Sequence, residues 1–185
     1  VVTTGAFPAF GVAIFAPLVS QHWMRIDDQW SLASQLADDI HTAGFEAEIF
    51  GAGDQDALKK WLQDYRDDHV LDYLVCLDSA PSVAYAGEDD TSLAEQWLDA
   101  GNGVLWTGYT PFARYILTDG TDTNVGSGQY AADEVLDAAL PQLVSGSAHM
   151  KLGPDAGDLP ALAEYDTTRA LLTANLNPGW TVAKL

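Results

Sequence analysis

The sequence predicts an α/β domain, a three-layer α/β/α sandwich built on a mainly parallel, flavodoxin-like sheet. Short apolar runs without polar alternation are separated by longer stretches in which apolar residues recur at helical spacing. This alternation repeats four times before residue 108, with Gly or Pro at most changes of period. An apolar run with no polar alternation is the pattern of a strand covered on both faces. Repeated strand–helix units with short turns imply right-handed crossovers and a parallel sheet with helices on both sides. The expected spatial order of the first four strands is 2-1-3-4.

The first strand is read at Val12, Ala13, Ile14, Phe15 and Ala16, with Pro17 ending it. A loop over 18–28 follows, long for a strand–helix connection. Trp30, Leu32, Ala33, Leu36, Ala37 and Ile40 then mark a helix that Gly44 stops. The second strand spans 45–50 and a turn spans 51–55. Asp54 or Asp56 is placed to cap a second helix carrying Leu58, Trp61, Leu62 and Tyr65. The third strand is 71–77, followed by a Pro81-containing loop over 78–87. A third helix starts at Asp89, Asp90 or Thr91, carries Leu93, Ala94, Trp97 and Leu98, and stops at 100–103. The fourth strand is 104–107. Beyond it the period loosens into an aromatic-rich stretch at 109–116 and a polar loop at 119–128. A helix over 130–143 and closing strands at 161–165, 169–176 and 180–185 complete the reading.

The 185 residues fit one domain, either a mature chain or a piece excised from a larger protein, and suffice to bury a core. The 27 acidic residues outnumber 8 basic ones, giving a formal net charge of −19. Such a field repels phosphate backbones and anionic bilayers, so neither nucleic acid nor membrane is expected as a partner. No segment is long enough to span a bilayer. Two sources of the acidity stay open: a high-salt habitat, or an extracellular or cell-surface module that meets calcium. Cys76, the only cysteine, lies inside an apolar run and reads as a buried structural thiol.

One stretch carries a family resemblance. Leu74-Val75-Cys76-Leu77-Asp78-Ser79-Ala80-Pro81 precedes an acidic helix. Then come Trp97-Leu98-Asp99-Ala100-Gly101-Asn102-Gly103-Val104-Leu105-Trp106-Thr107-Gly108 and Tyr109-Thr110-Pro111-Phe112. Together with the tail over 169–185, this resembles the class I glutamine amidotransferase-like superfamily, in its diverged, ThuA-like and polysaccharide-associated form. The resemblance implies a link to carbohydrate chemistry. It also implies a cysteine in the turn after the fourth strand and a downstream His-Glu pair. Gly108-Tyr109-Thr110 holds no thiol, and His149 is followed by Met150 and Lys151. The family's usual catalysis therefore does not carry over.

Loops at the carboxyl ends of parallel strands form the usual ligand edge. Here that edge is expected to gather Ser20, Gln21, His22, Trp23 and Arg25, then Gly53 and Asp54. The third loop adds Asp78, Ser79, Ser82 and Tyr85, and the fourth Thr107, Tyr109, Thr110, Phe112 and Arg114. Aromatic faces beside hydroxyls and carboxylates suit sugars. The plainer alternative is that Trp23, Tyr85, Tyr109 and Phe112 roof the sheet. Asp78 with Thr107 and Lys151 has the order of a phosphorelay receiver, but the acidic pair needed after the first strand is replaced by Ala16-Pro17-Leu18. Asp119, Asp122 and Asn124 are weak calcium candidates outside any EF-hand spacing; no other cofactor is indicated. Ser127 in Gly126-Ser127-Gly128 lacks a nucleophile-elbow context.

These observations lead to a non-catalytic accessory or ligand-binding module, with a small molecule or carbohydrate as ligand. One alternative is a hydrolase acting on a sugar or small amide through His22 with Asp78 or Asp54. Another is an assembly domain that joins other domains of the same protein or a second copy of itself.

Overall fold

A computed structural model describes residues 10–19, 24–87, 91–107, 111–125, 135, 144–150 and 165–170. Four parallel strands form its main sheet: β1 (Gly11–Phe15), β2 (Glu46–Phe50), β3 (Tyr73–Leu77) and β5 (Gly103–Thr107). Their order is β2-β1-β3-β5, which is the 2-1-3-4 order expected for these four segments. Every strand pair is parallel, with Ile14 opposite both Ile49 and Val75, and Val75 opposite Leu105.

The absence of polar alternation in β1 and β3 has a direct cause. Val12, Ile14, Ala16, Val75 and Leu77 point to one face and meet Ala33 and Ala37 of helix α1 (Ile26–Thr42). Ala13, Phe15, Leu74 and Cys76 point to the other. There they meet Leu58, Trp61 and Leu62 of helix α2 (Gln55–Tyr65), and Ala94 and Trp97 of helix α3 (Leu93–Asp99). Helices therefore cover both faces of the sheet. β2 is different because it is an edge strand: exposed Glu46 and Glu48 alternate with Ala47 and Ile49, which pack on the α1 side, and only Phe50 at its end is buried on the face of the two glutamates. Charged side chains on an edge discourage pairing with another chain.

Several boundaries depart from the sequence reading. α1 starts at Ile26, so Asp27 and Asp28 occupy its first turn and not the preceding loop. Carboxylates there face the positive end of the helix dipole. Asp54 stands at the N-cap position of α2, yet its carboxylate turns back to accept the Gly51 N–H at 2.9 Å and does not cap the helix. α3 is capped by Ser92, whose hydroxyl accepts the Glu95 N–H at 3.1 Å; Thr91 precedes the helix, and Asp89 and Asp90 lie outside the described residues.

The loop after β3 contains a two-residue strand, β4 (Ala80–Pro81), which pairs in parallel with β6 (Arg114–Ile116). β6 pairs antiparallel with β7 (Asp122–Asn124), inside the stretch expected to be a polar loop. Gly120 at φ +86° makes the turn, and Arg114 grips Asp122 across the hairpin. β8 (Val144–Met150), rich in Ser and Gly, was not expected; it pairs antiparallel with β9 (Tyr165–Ala170). Of the helix expected over 130–143, only Val135 is described; it is helical and buried against the α2–α3 face. Of the strand expected over 169–176, residues 169–170 end β9 and the rest lies outside the described residues, as does the strand expected over 180–185. Among the described residues no helix is long and apolar enough to cross a membrane.

Gly103 opens β5 where the Tyr73 ring crosses it. A Cβ there would lie 2.5 Å from Tyr73 Cε1 and 2.6 Å from Cδ1. Gly103→Ala is therefore expected to destabilise the fold by about 1–3 kcal/mol through overpacking. Urea denaturation of the variant and the parent protein measures it.

Candidate functional site

The carboxyl end of the sheet concentrates unusual backbone. Among the described residues, four non-glycine residues have left-handed φ: Leu18 (+55°), His69 (+66°), Asp78 (+77°) and Phe112 (+58°). Three of these, Leu18, Asp78 and Phe112, lie in the segments that follow β1, β3 and β5, so the strain collects on the edge where such sheets bind ligands. Each such residue costs roughly 1–3 kcal/mol and persists only where its surroundings hold it.

Two buried glutamines tie the loops at this edge, and one of them holds Leu18. Gln29, on the inner face of α1, is 0% exposed. Its Oε1 accepts the Leu18 N–H at 2.9 Å, and its Nε2 donates to the carbonyls of Val19 (3.0 Å) and Met24 (3.3 Å). The loop after β1 is thereby tied at both ends to the helix that follows. Gln55, at the start of α2, is also 0% exposed. Its Nε2 donates to Ile116 O at 2.9 Å, and its Oε1 accepts from the Ser82 hydroxyl at 3.0 Å and the Val83 N–H at 3.2 Å. It joins the loop after β3 to β6. Sequence reasoning passed over both residues. A signal was present: Gln29, Ala33 and Ala37 share one helical stripe, as do Gln55, Leu58 and Leu62, so each glutamine stands where an apolar residue is the rule.

Asp78 and Ser79 are 2% and 1% exposed at the end of β3. The Asp78 N–H donates to Thr107 O at 2.9 Å, which joins the ends of β3 and β5. Among the described residues, the Thr107 hydroxyl and the Trp106 indole N–H are buried without a hydrogen-bond partner. Neighbouring residues on a strand face opposite sides, so these two groups stand on opposite faces of the sheet. Trp106 is on the α2–α3 side, its ring 5.1 Å from that of Phe112. Sequence reading had named Thr107 and had not named Trp106.

The remaining candidates divide. Tyr85 and Phe112 are 0% and 1% exposed and meet edge to face at 5.5 Å, so their rings pack in the core and present no open platform. Arg25 is exposed at the start of α1. Arg114 is held by Asp122 in a two-pronged pair: Nε lies 3.0 Å from Oδ1 and Nη2 lies 2.6 Å from Oδ2. Asp119 accepts the Thr121 N–H at 2.8 Å, and bonds from Thr121 hold its carboxyl below the usual carboxylate range. Two of the three weak calcium candidates are thus engaged within their own hairpin. Among the described residues no three His, Cys, Asp or Glu side chains converge to hold a metal ion. His22, Trp23, Tyr109 and Thr110 lie outside the described residues, as do Ser127 and Lys151.

Cys76 is fully buried inside β3, and burial pushes its thiol well above the ordinary thiol range. A thiol held protonated in an apolar layer is no nucleophile.

Comparison with protein-family models, with curated proteins and with solved structures gave no match.

Proposed function

We propose that the chain is a non-catalytic, amidotransferase-like module of the flavodoxin-like, three-layer type. It binds a neutral carbohydrate at the carboxyl end of its parallel sheet, in association with polysaccharide processing. The observation that carries this reading is the gathering of left-handed Leu18, Asp78 and Phe112 at that edge, around buried Asp78 and Ser79 and the buried hydroxyl of half-buried Thr107. Carboxyl and hydroxyl groups at the ends of neighbouring strands match the mixed donors and acceptors of sugar hydroxyls. A net charge of −19 disfavours anionic ligands, which leaves neutral ones as the fitting class. Asp78 and Ser79 are almost fully covered, so a ligand reaches their side chains only when that cover moves. The non-catalytic part of the proposal rests on the missing thiol at 108–110 and on the inert position of Cys76.

Calorimetric titration of the full chain with neutral and uronic-acid oligosaccharides tests the proposal. Neutral oligosaccharides are expected to bind and to be recovered unchanged, and the uronic acids to give no heat. Thr107→Val is expected to weaken binding about tenfold, the effect of losing one neutral hydrogen bond worth ~1.4 kcal/mol. Binding of acidic sugars alone, cleavage of the oligosaccharide, or no binding by any of them would contradict the proposal.

A further inference from the structure

A groove between α2 and α3 holds a cavity of about 260 Å³, and none of Leu18, Asp78, Ser79 or Thr107 lines it. Lys59 and Gln63 stand one turn apart on α2 and form one side. Leu93 and Gln96 of α3 form another, and Val83 and Ala84 come from the loop after β3. Gln96 is fixed in place. Its Oε1 accepts from Arg66 Nη1 at 2.7 Å, and its Nε2 donates to the Thr91 carbonyl at 2.9 Å. Among the described residues, the Lys59 ammonium and the Gln63 amide make neither a side-chain hydrogen bond nor an ion pair.

The charge pattern sets this groove apart. The chain carries 27 acidic residues against 8 basic ones, yet no acidic residue lines the cavity. Lys60, Arg66 and Arg114 are each held by an aspartate: Asp64, Asp67 and Asp122. Lys59 keeps its charge uncommitted. The net charge of −19 repels anions at a distance. The screening length is about 8 Å at physiological ionic strength, so contacts inside the groove decide what stays there. An ammonium offers three donors and no acceptor, which suits a ligand group that only accepts. Val83, Ala84 and Leu93 add apolar surface beside it. The cavity falls below the roughly 300–1,000 Å³ of drug-sized sites, so it takes a small molecule and not an oligosaccharide.

We infer that this groove binds a small organic carboxylate, with its charged head on Lys59 and Gln63 and a short apolar body against Val83, Ala84 and Leu93. The site is separate from the proposed carbohydrate edge, and either can fail without the other.

An NMR titration of the full chain with sodium butyrate, at ionic strength held constant with sodium chloride, tests this. Amide shifts at Gln63, Val83, Ala84, Leu93 and Gln96 are expected to saturate together, with a Kd of about 1–10 mM. Butyramide has the same body without the charge and is expected to bind at least about tenfold more weakly. Lys59→Met keeps the apolar stem and removes the charge; it is expected to weaken butyrate binding about tenfold or more. Lys60→Met removes the same charge one residue along, from a lysine already paired with Asp64, and is expected to leave binding unchanged. Equal losses in the two variants would show general electrostatics and overturn the proposal. So would butyramide binding as tightly as butyrate, or the absence of saturable shifts at these amides.

Discussion

Trp97→Ala is expected to destabilise the protein by about 3–5 kcal/mol, the range for truncating a buried tryptophan. Trp97 is 0% exposed and is among the largest fully buried side chains. Its ring lies 5.8 Å from that of Trp61, which makes it the contact between α3 and α2. Its indole N–H donates to Gly103 O at 3.0 Å, which fastens α3 to the first residue of β5. Alanine removes both, and a seven-residue helix has little intrinsic stability with which to compensate. Trp97→Phe separates the two contributions. It keeps most of the ring packing, so its cost is expected to be less than half that of alanine. Urea denaturation with unchanged m-values checks both variants. A loss below about 1 kcal/mol for alanine would mean that α3 does not anchor β5.

Gln55→Glu is expected to cost about 3 kcal/mol at neutral pH and much less in acid. The carboxylate keeps the two acceptor bonds, to the Ser82 hydroxyl and the Val83 N–H. It loses the donor that Nε2 supplies to Ile116 O, and it sets a buried charge against a carbonyl. Protonation restores a donor. The introduced acid would therefore titrate higher in the folded than in the unfolded chain, so the deficit shrinks as pH falls through its folded value. Denaturation midpoints measured across pH, relative to the parent protein, show this as converging curves. A deficit independent of pH would mean that shape alone, and not the donor, matters at position 55.

Much of the sheet was legible because burial on two faces leaves an unmistakable trace. Ala13 and Phe15 meet α2 while Val12 and Ile14 meet α1, so β1 has no polar position to show. β7 and β8 were not legible for the opposite reason. Asp122, Thr123 and Asn124 carry no apolar period, and their pairing with β6 rests on backbone bonds and on the Arg114–Asp122 pair. β8 reads Val-Ser-Gly-Ser-Ala-His-Met, a composition that also describes a loop. At the site, Asp78, Ser79 and Thr107 could be named from strand ends alone. The burial of Asp78 and Ser79 could not, because it depends on residues far apart in the chain. Tyr85 and Phe112 show the same limit: an aromatic in a loop reads alike whether it faces a ligand or fills a core.

The central claim is that the carboxyl end of the parallel sheet is the ligand edge. Backbone amide shifts of the full chain, followed while a neutral oligosaccharide is added, test it most directly. The account predicts perturbations at Leu18, Val19, Asp78, Ser79 and Thr107, with Gly11, Asp72 and Gly103 unmoved. Perturbation confined to Gly11, Asp72 and Gly103, or none at any of these positions, would contradict it.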